Sequence, residues 1–488
     1  MLISDKRILE ACIETVDSMG KRADVPAEVL YDLDIIGLSL RNLLHTERRD
    51  ANELASLANR AGELAQRAGI AQYPELATAI TAVSRAAAGP SPTQTLQRML
   101  ATFDAGLAKL GRTTTRTGAA PLADLTPPLL AHHNGIRLLG EVDREAEVSA
   151  GAPLTAGNLT SYFRERLGDP SAAARDVRVL NGGFGKETTL FHLDSHTLGG
   201  PLVMRRDSPV EILEGLDCHV ARKEFPVLQA VYSAGFPVPE PLLLETATEH
   251  IPGPAFSIVR RAPGDVVGSA LGGRGIVSAQ LQSALANVTA RVHSLPPLHG
   301  LDEHPAVGSA RRSMTARQCA GSYLSLWYEH FLTHPHLPMP AMHALFNWLL
   351  RNLPEYEGMS SLVHGDIGLH NLLFDAGTLS ALLDWEYSHV GDPAEDIGYI
   401  RAMMGPQLDW HEFLASYVAA GGRTLDERRI RYFEIWAHVR NAASILLAAE
   451  HFESGRLRNI KYSAIVYQHL PHFASQAERL IRQYDSLS

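Results

Sequence analysis

The spacing of apolar residues changes period twice along the chain, and this limits the available folds more than any single residue does. Residues 1–111 repeat at helical spacing, as in Ile8, Leu9, Cys12, Ile13 and Val16, and again from Leu30 through Leu44. The stretch Gly111–Pro128, GRTTTRTGAAPLADLTPP, has the composition of a linker. A helical run at Asn158–Leu167 is followed by short runs at strand spacing. These are VRVL (Val177–Leu180), TTLFHL (Thr188–Leu193) and PLVMRR (Pro201–Arg206), parted by Gly-containing or polar turns. A helix around His219–Ala234 comes next, then strands at Leu242–Leu244 and Phe256–Arg260. From Ser278 the helical period returns, interrupted only near 361–385. This order predicts an α+β bilobal fold, with a small, mainly antiparallel sheet lobe at 154–262 and a large helical lobe at 263–488. An all-helical domain at 1–111 and a connecting segment at 112–153 precede them.

Charge and cysteine usage narrow the function classes. The formal net charge of −10 argues against a nucleic-acid partner, which calls for a basic surface. Cys12, Cys218 and Cys319 are scattered and form no CxxC pair, which predicts a reducing compartment with neither a zinc nor a disulfide framework. Acidic residues in MLISDKRILEACIETVDSMG argue against a secretory signal. No apolar run approaches the roughly 18 residues that span a bilayer. The expectation is a cytoplasmic protein with no membrane association.

The chemistry concentrates in Leu362–Tyr399, LVHGDIGLHNLLFDAGTLSALLDWEYSHVGDPAEDIGY. Asp366 is a carboxylate able to orient a hydroxyl and take its proton. Asn371 offers a neutral oxygen ligand and Asp384 an anionic one. LLF (Leu372–Phe374) and ALL (Ala381–Leu383) read as a short hairpin turning at Asp375–Ser380, which would return Asp384 beside Asn371. A base and two hard oxygen ligands are what phosphoryl transfer from a magnesium-bound nucleotide requires of a protein.

His364, Gly365, Asp366 and Asn371, with Asp384-Trp385-Glu386 and the following GDPAEDIGY (Gly391–Tyr399), resemble the aminoglycoside-phosphotransferase-like (APH/choline kinase-type) family. The likeness runs from about Leu154 to His472 and leaves out residues 1 to about 150. It implies a protein-kinase-like fold, ATP and Mg2+ as cofactors, and a small-molecule alcohol as acceptor. It also implies Asp366 as catalytic base, Asn371 and Asp384 as metal ligands, and Asp392 and Asp396 as braces for the loop. In the small lobe, Gly182 and Gly183 of Asn181–Gly185 would approach phosphate through the backbone. Arg205 stands on the third strand where most kinases carry lysine, with Glu224 as its helix partner. Val259 and Arg260, leading into Arg261–Gly264, would read adenine through backbone groups.

The acceptor is less constrained. Tyr323, Trp327, Tyr328 and Trp348, at helical spacing between Gly300 and Ser361, read as core rather than pocket lining. His330, His334 and His336, flanked by prolines, read as a loop rather than a metal cluster. Arg311, Arg312, Arg317 and Arg351, set against the single acid Glu329 between Ala306 and Arg351, suit a neutral or anionic acceptor. Arg205 and Glu386 resemble the kinase domains associated with acyl-CoA dehydrogenases, which implies a hydroxyacyl-CoA or another secondary or tertiary alcohol. The alternatives are an antibiotic O-phosphotransferase and a non-catalytic pseudokinase. The second would lack one of Asp366, Asn371 and Asp384, all of which are present. No DFG or APE pair marks a protein kinase. For residues 1–111 three roles stay open: docking a partner, forming a homodimer, or covering the acceptor site.

Overall fold

The computed structural model describes residues 154–484 apart from 181–184, 212, 214–215, 217–218, 248–250, 252, 269–275, 338, 455 and 458–468. The expected helical domain at 1–111, the connecting segment at 112–153, and Gly182 and Gly183 lie outside the described residues.

Helix α1 (Ala156–Leu167) begins at a capping box, in which Asn158 N donates to Thr155 Oγ1 (3.3 Å) and Thr155 N to Asn158 Oδ1 (2.8 Å). It buries Leu159, Tyr162 and Phe163, and the Tyr162 ring packs on Phe256 and the Phe163 ring on Phe191 of the sheet. That sheet comprises β1 (Ala173–Leu180), β2 (Lys186–Asp194), β3 (Gly200–Asp207), β4 (Pro241–Glu245) and β5 (Phe256–Arg260). Its order is β1-β2-β3-β5-β4, antiparallel throughout. β1 starts four residues before VRVL, because a bulge between Arg175 and Arg178, with Asp176 at φ 55°, interrupts the alternation that would have revealed it. Lys186 pairs with Asp207 and Thr188 with Arg205, so Lys186, Arg205 and Asp207 share one face of the sheet. Asp207 also caps α2 (Ala221–Ser233), accepting from Ala221 N at 2.9 and 3.1 Å.

Beyond β5, the two-residue strand β6 (Asp265–Val266) pairs with β8 (Leu372–Asp375) and joins the connection to the hairpin β8–β9 (Thr378–Leu382). The hairpin turns on Ala376 (φ 46°) and Gly377 (φ 82°), tighter than the expected Asp375–Ser380, because two successive positive φ angles close a two-residue turn between the paired Asp375 and Thr378. β7 (Ser361–Val363) precedes it and pairs with β10 (His389–Gly391), a strand too short to show in the pattern. The longer helices are α3 (Ala279–His293), α4 (Ala316–Thr333), α5 (Pro340–Arg351), α6 (Ala394–Met404), α7 (Trp410–Ala419), α8 (Glu427–Glu453) and α9 (Leu470–Tyr484). Among the described residues, no helix is long and apolar enough to cross a membrane.

Contacts divide the described residues into 154–323 with 353–437, and 324–352 with 438–484. The first unit holds the core around Trp385, with Phe236, Ile367, Leu372, Ile397 and Phe413. Here Tyr323 is buried and stacks on His389 at 3.8 Å between ring centroids. In the second unit Trp327 and Tyr328 are buried, Tyr328 stacks on Phe346, and Trp348 meets Tyr484 edge-on. These aromatics are packing residues. His330 stacks on His334 and His336 on Phe331, and no metal-holding group of three or more His, Cys, Asp or Glu occurs among the described residues.

Candidate active site

The loop between β7 and β8 is shaped by one glycine and one buried carboxylate. Gly365 has φ 82°, and a Cβ there would lie 2.6 Å from Tyr387 O, so a side chain is excluded both by conformation and by space. Asp396, in the first turn of α6, accepts His364 N (2.9 Å), Gly365 N (2.8 Å) and His293 Nε2 (3.0 Å). Burial alone would raise the Asp396 pKa. The His293 hydrogen bond and the other donors outweigh burial and hold it below the usual carboxylate range. Asp366 N donates to His364 Nδ1 (3.3 Å), which leaves His364 Nε2 to donate to Leu383 O (3.0 Å). That pattern fits a neutral imidazole, and burial lowers the His364 pKa accordingly.

This scaffold presents Asp366. Its Oδ1 accepts the Tyr399 hydroxyl and lies 3.3 Å from His370 Nε2, while its Oδ2 accepts Asn371 Nδ2 at 3.2 Å. Burial pulls the His370 pKa down, but the Asp366 charge outweighs it and raises the imidazole above its ordinary value. Neither Tyr399 nor His370 stood out in the sequence. The available signals were spacings: Tyr399 follows Asp396 by three residues on one helix face, and His370 precedes Asn371 in a single 3-10 turn. Asp392 departs from expectation. It pairs with Arg429 (Nε, 2.8 Å) and accepts Ala394 N (2.8 Å), so it anchors α8 rather than bracing the loop.

Leu383 N donates to Asn371 O at 2.8 Å, which brings Asp384 back beside Asn371. Asp384 sits at φ 65°, a region a non-glycine residue seldom occupies, at a cost of about 1–3 kcal/mol. With its nitrogen committed to Asp366, the side chain of Asn371 keeps its oxygen to accept. Asp384 supplies an anionic oxygen. Two hard oxygens without a closed cage suit magnesium, which takes its remaining ligands from phosphate and water.

Lys186 as well as the expected Arg205 faces these acids. Arg205 Nη2 lies 2.7 Å from Asp384 Oδ1, whereas its nearest approach to Glu224 is 3.9 Å. Glu224 instead meets Lys186 Nζ (3.2 Å) and accepts Trp385 N (3.2 Å). Lys186 also contacts Glu386 Oε2 at 2.6 Å. Burial would lower the pKa of Lys186 and Arg205, but the Glu224 and Glu386 charges on Lys186, and Asp384 above all on Arg205, raise both. Burial raises the Asp384 pKa, while Arg205 and then Lys186 bring it below the usual carboxylate range. Lys186 was missed because its partners lie far away in sequence. The available hint was its two-residue offset from Thr188, which faces Arg205.

The remaining predicted residues fall as follows. Gly185, the described end of the glycine-rich loop, packs so closely that a Cβ would sit 3.1 Å from His219 Nε2 and 3.3 Å from Glu386. Val259 is buried in β5, and the backbone N–H of Arg260 is donated to Glu240 O (2.9 Å). Arg261 N goes to Pro201 O (3.0 Å), so these two N–H groups are taken before any base arrives. The Arg260 side chain binds Glu240 (2.7 Å). Arg312 holds Asp302 (2.6 Å), and Arg317 holds the carbonyls of Leu353 and Pro354, so these two charges of the basic stretch are spent on loops.

Comparison with known proteins adds independent findings. The model of the phosphotransferase enzyme family (APH) matches residues 176–433, just over half of the chain. Acyl-CoA dehydrogenase family member 11 of Rattus norvegicus is 32% identical over 248 residues, which is 50% of this chain and 30% of that protein. Family member 10 of Mus musculus is 28% identical over 249 residues, 49% of this chain and 21% of that protein. The match thus spans under a third of either relative. Viomycin phosphotransferase of Streptomyces vinaceus is 37% identical over 67 residues, 13% of this chain and 22% of that protein. Among solved structures, spectinomycin phosphotransferase APH(9)-Ia aligns with a TM-score of 0.44 at 12% identity, covering 69% of this chain and 100% of that one.

Proposed function

The chain belongs to the phosphotransferase enzyme family, and from that premise we propose that it transfers a phosphoryl group from MgATP to the hydroxyl of a small metabolite. The observation that supports this most is the convergence of Asp366, Asn371 and Asp384, drawn together by Asn371 Nδ2 on Asp366 and Leu383 N on Asn371 O. Asp366 would accept the acceptor hydroxyl, and Tyr399 and His370 fix which way its carboxylate points. Orientation is the main demand, because the transition state of phosphoryl transfer is loose and the proton leaves late. Asn371 and Asp384 would hold magnesium, which when bound offsets charge on the phosphate oxygens. Arg205, at the partly exposed edge of the acid cluster, would meet phosphate with Glu224 behind it. Gly182 and Gly183 are proposed for the phosphate loop, and the backbone near Val259 and Arg260 for the base. With the Arg260 and Arg261 N–H groups taken, carbonyls there or groups at 262–264 would read its edge.

For the acceptor we propose a hydroxyacyl-CoA or another secondary or tertiary alcohol. The support is the Arg205 and Glu386 signature, together with the family names of two relatives. The test is mass spectrometry of reactions containing MgATP and a panel of hydroxyacyl-CoAs, sterol and terpenoid alcohols, and aminoglycosides. A phosphate ester on a member of the first two groups is expected. Phosphorylation of aminoglycosides alone would overturn the acceptor class, and no phosphorylated product from any member would count against the transfer itself.

A further inference from the structure

Lys186 has no task in the transfer as set out above, yet its side chain is 1% exposed, against 20% for Arg205. Burying an ammonium group costs several kcal/mol unless opposite charges surround it closely. Here two do. Glu386 lies 2.6 Å away and Glu224 3.2 Å away, and they come from different parts of the chain. Glu224 belongs to α2, and Glu386 follows Asp384 by two residues. Glu224 also holds Trp385 N, the amide directly after the strained backbone of Asp384. Lys186 therefore ties β2, α2 and the segment carrying the metal carboxylate at one nitrogen atom.

Arg205 is placed differently. Its close contact is Asp384, and at 3.9 Å from Glu224 it is beyond hydrogen-bond reach of that helix. The register of β2 and β3 sets both cations on one sheet face, Lys186 buried and Arg205 partly exposed. We propose that two tasks usually combined in one lysine are divided here. Lys186 is a positioning residue that anchors Glu224 and Glu386 and so sets Asp384, and Arg205 is the cation left to meet nucleotide phosphate. This division rests on the phosphoryl-transfer reading of the site.

The test separates phosphate contact from metal-ligand placement in the full-length protein. Metal-free ADP affinity is measured by calorimetry in EDTA, and Mn2+ affinity for the ADP complex by electron paramagnetic resonance. Arg205→Met should weaken metal-free ADP about tenfold or more, the loss expected for one charged hydrogen bond. Lys186→Met should leave metal-free ADP within about threefold while weakening Mn2+ about tenfold or more. Lys186→Gln, which keeps an amide donor between the two carboxylates, should act the same way and covers the case in which the methionine variant does not fold. Lys186→Arg should recover part of the Mn2+ affinity. If the Lys186 variants lose metal-free ADP as Arg205→Met does, Lys186 itself contacts phosphate and the division is wrong. Unchanged Mn2+ affinity would reduce Lys186 to a core charge and also overturn the proposal. A wild-type protein that binds neither ADP nor ATP, with or without metal, would instead overturn the reading beneath it.

Discussion

At the scale of single residues, the site is a set of carboxylates distinguished by their neighbours. Asp366 faces hydroxyl, imidazole and amide donors, Asp384 faces a guanidinium, and Asp396 faces backbone N–H groups. Under the proposed function, the first of these would meet the acceptor hydroxyl. Asp366→Asn should lower kcat about 10²–10⁴-fold while changing acceptor and MgATP affinity little, as steady-state kinetics and calorimetry would show. Loss of nucleotide binding in that variant would move Asp366 from base to metal ligand. Asp366, Asn371 and Asp384 could be read directly because they share one short stretch whose spacing encodes a hairpin. Lys186 could not, because a lysine at a strand start looks solvated until the acids at 224 and 386 are brought against it.

Between elements, Asp396 is the joint, linking α6 to the loop after β7 and to α3 through His293. Asp396→Asn would turn an amide N–H₂ toward a backbone N–H and remove a buried charge, at a cost of about 3 kcal/mol. The sign of its pH dependence follows from the lowered pKa. The unfolded carboxylate titrates at about 3.9, so this stabilisation is complete above that pH and lost as pH falls through the lower folded value. Chemical denaturation should show the largest gap between wild type and variant at about pH 7, shrinking toward about pH 3. A gap that widens on acidification would refute the assignment. The five-strand sheet and the helices α1 and α2 packed on it were legible because period and turn residues agree there. β10 and the β1 extension were not, since three residues carry no period and a bulge breaks one.

For the whole molecule, the linker composition of Gly111–Pro128 predicts a separately folding region ahead of the phosphotransferase part. Limited proteolysis should cut there and release a C-terminal fragment that still binds MgATP, detected by mass spectrometry and calorimetry. A chain that stays intact under conditions that nick flexible linkers would refute that boundary. The pairing of β2 with β3 also bears on how related sequences are recognised. Side chains alternate between faces, so a positive charge can pass to the neighbouring strand and stay on the same face, provided it is offset by an even number of residues from the cross-strand partner, as Lys186 is by two from Thr188 opposite Arg205. A search that demands lysine on the third strand would reject this chain as inactive, whereas one that asks only for a buried cation on that face would retain it.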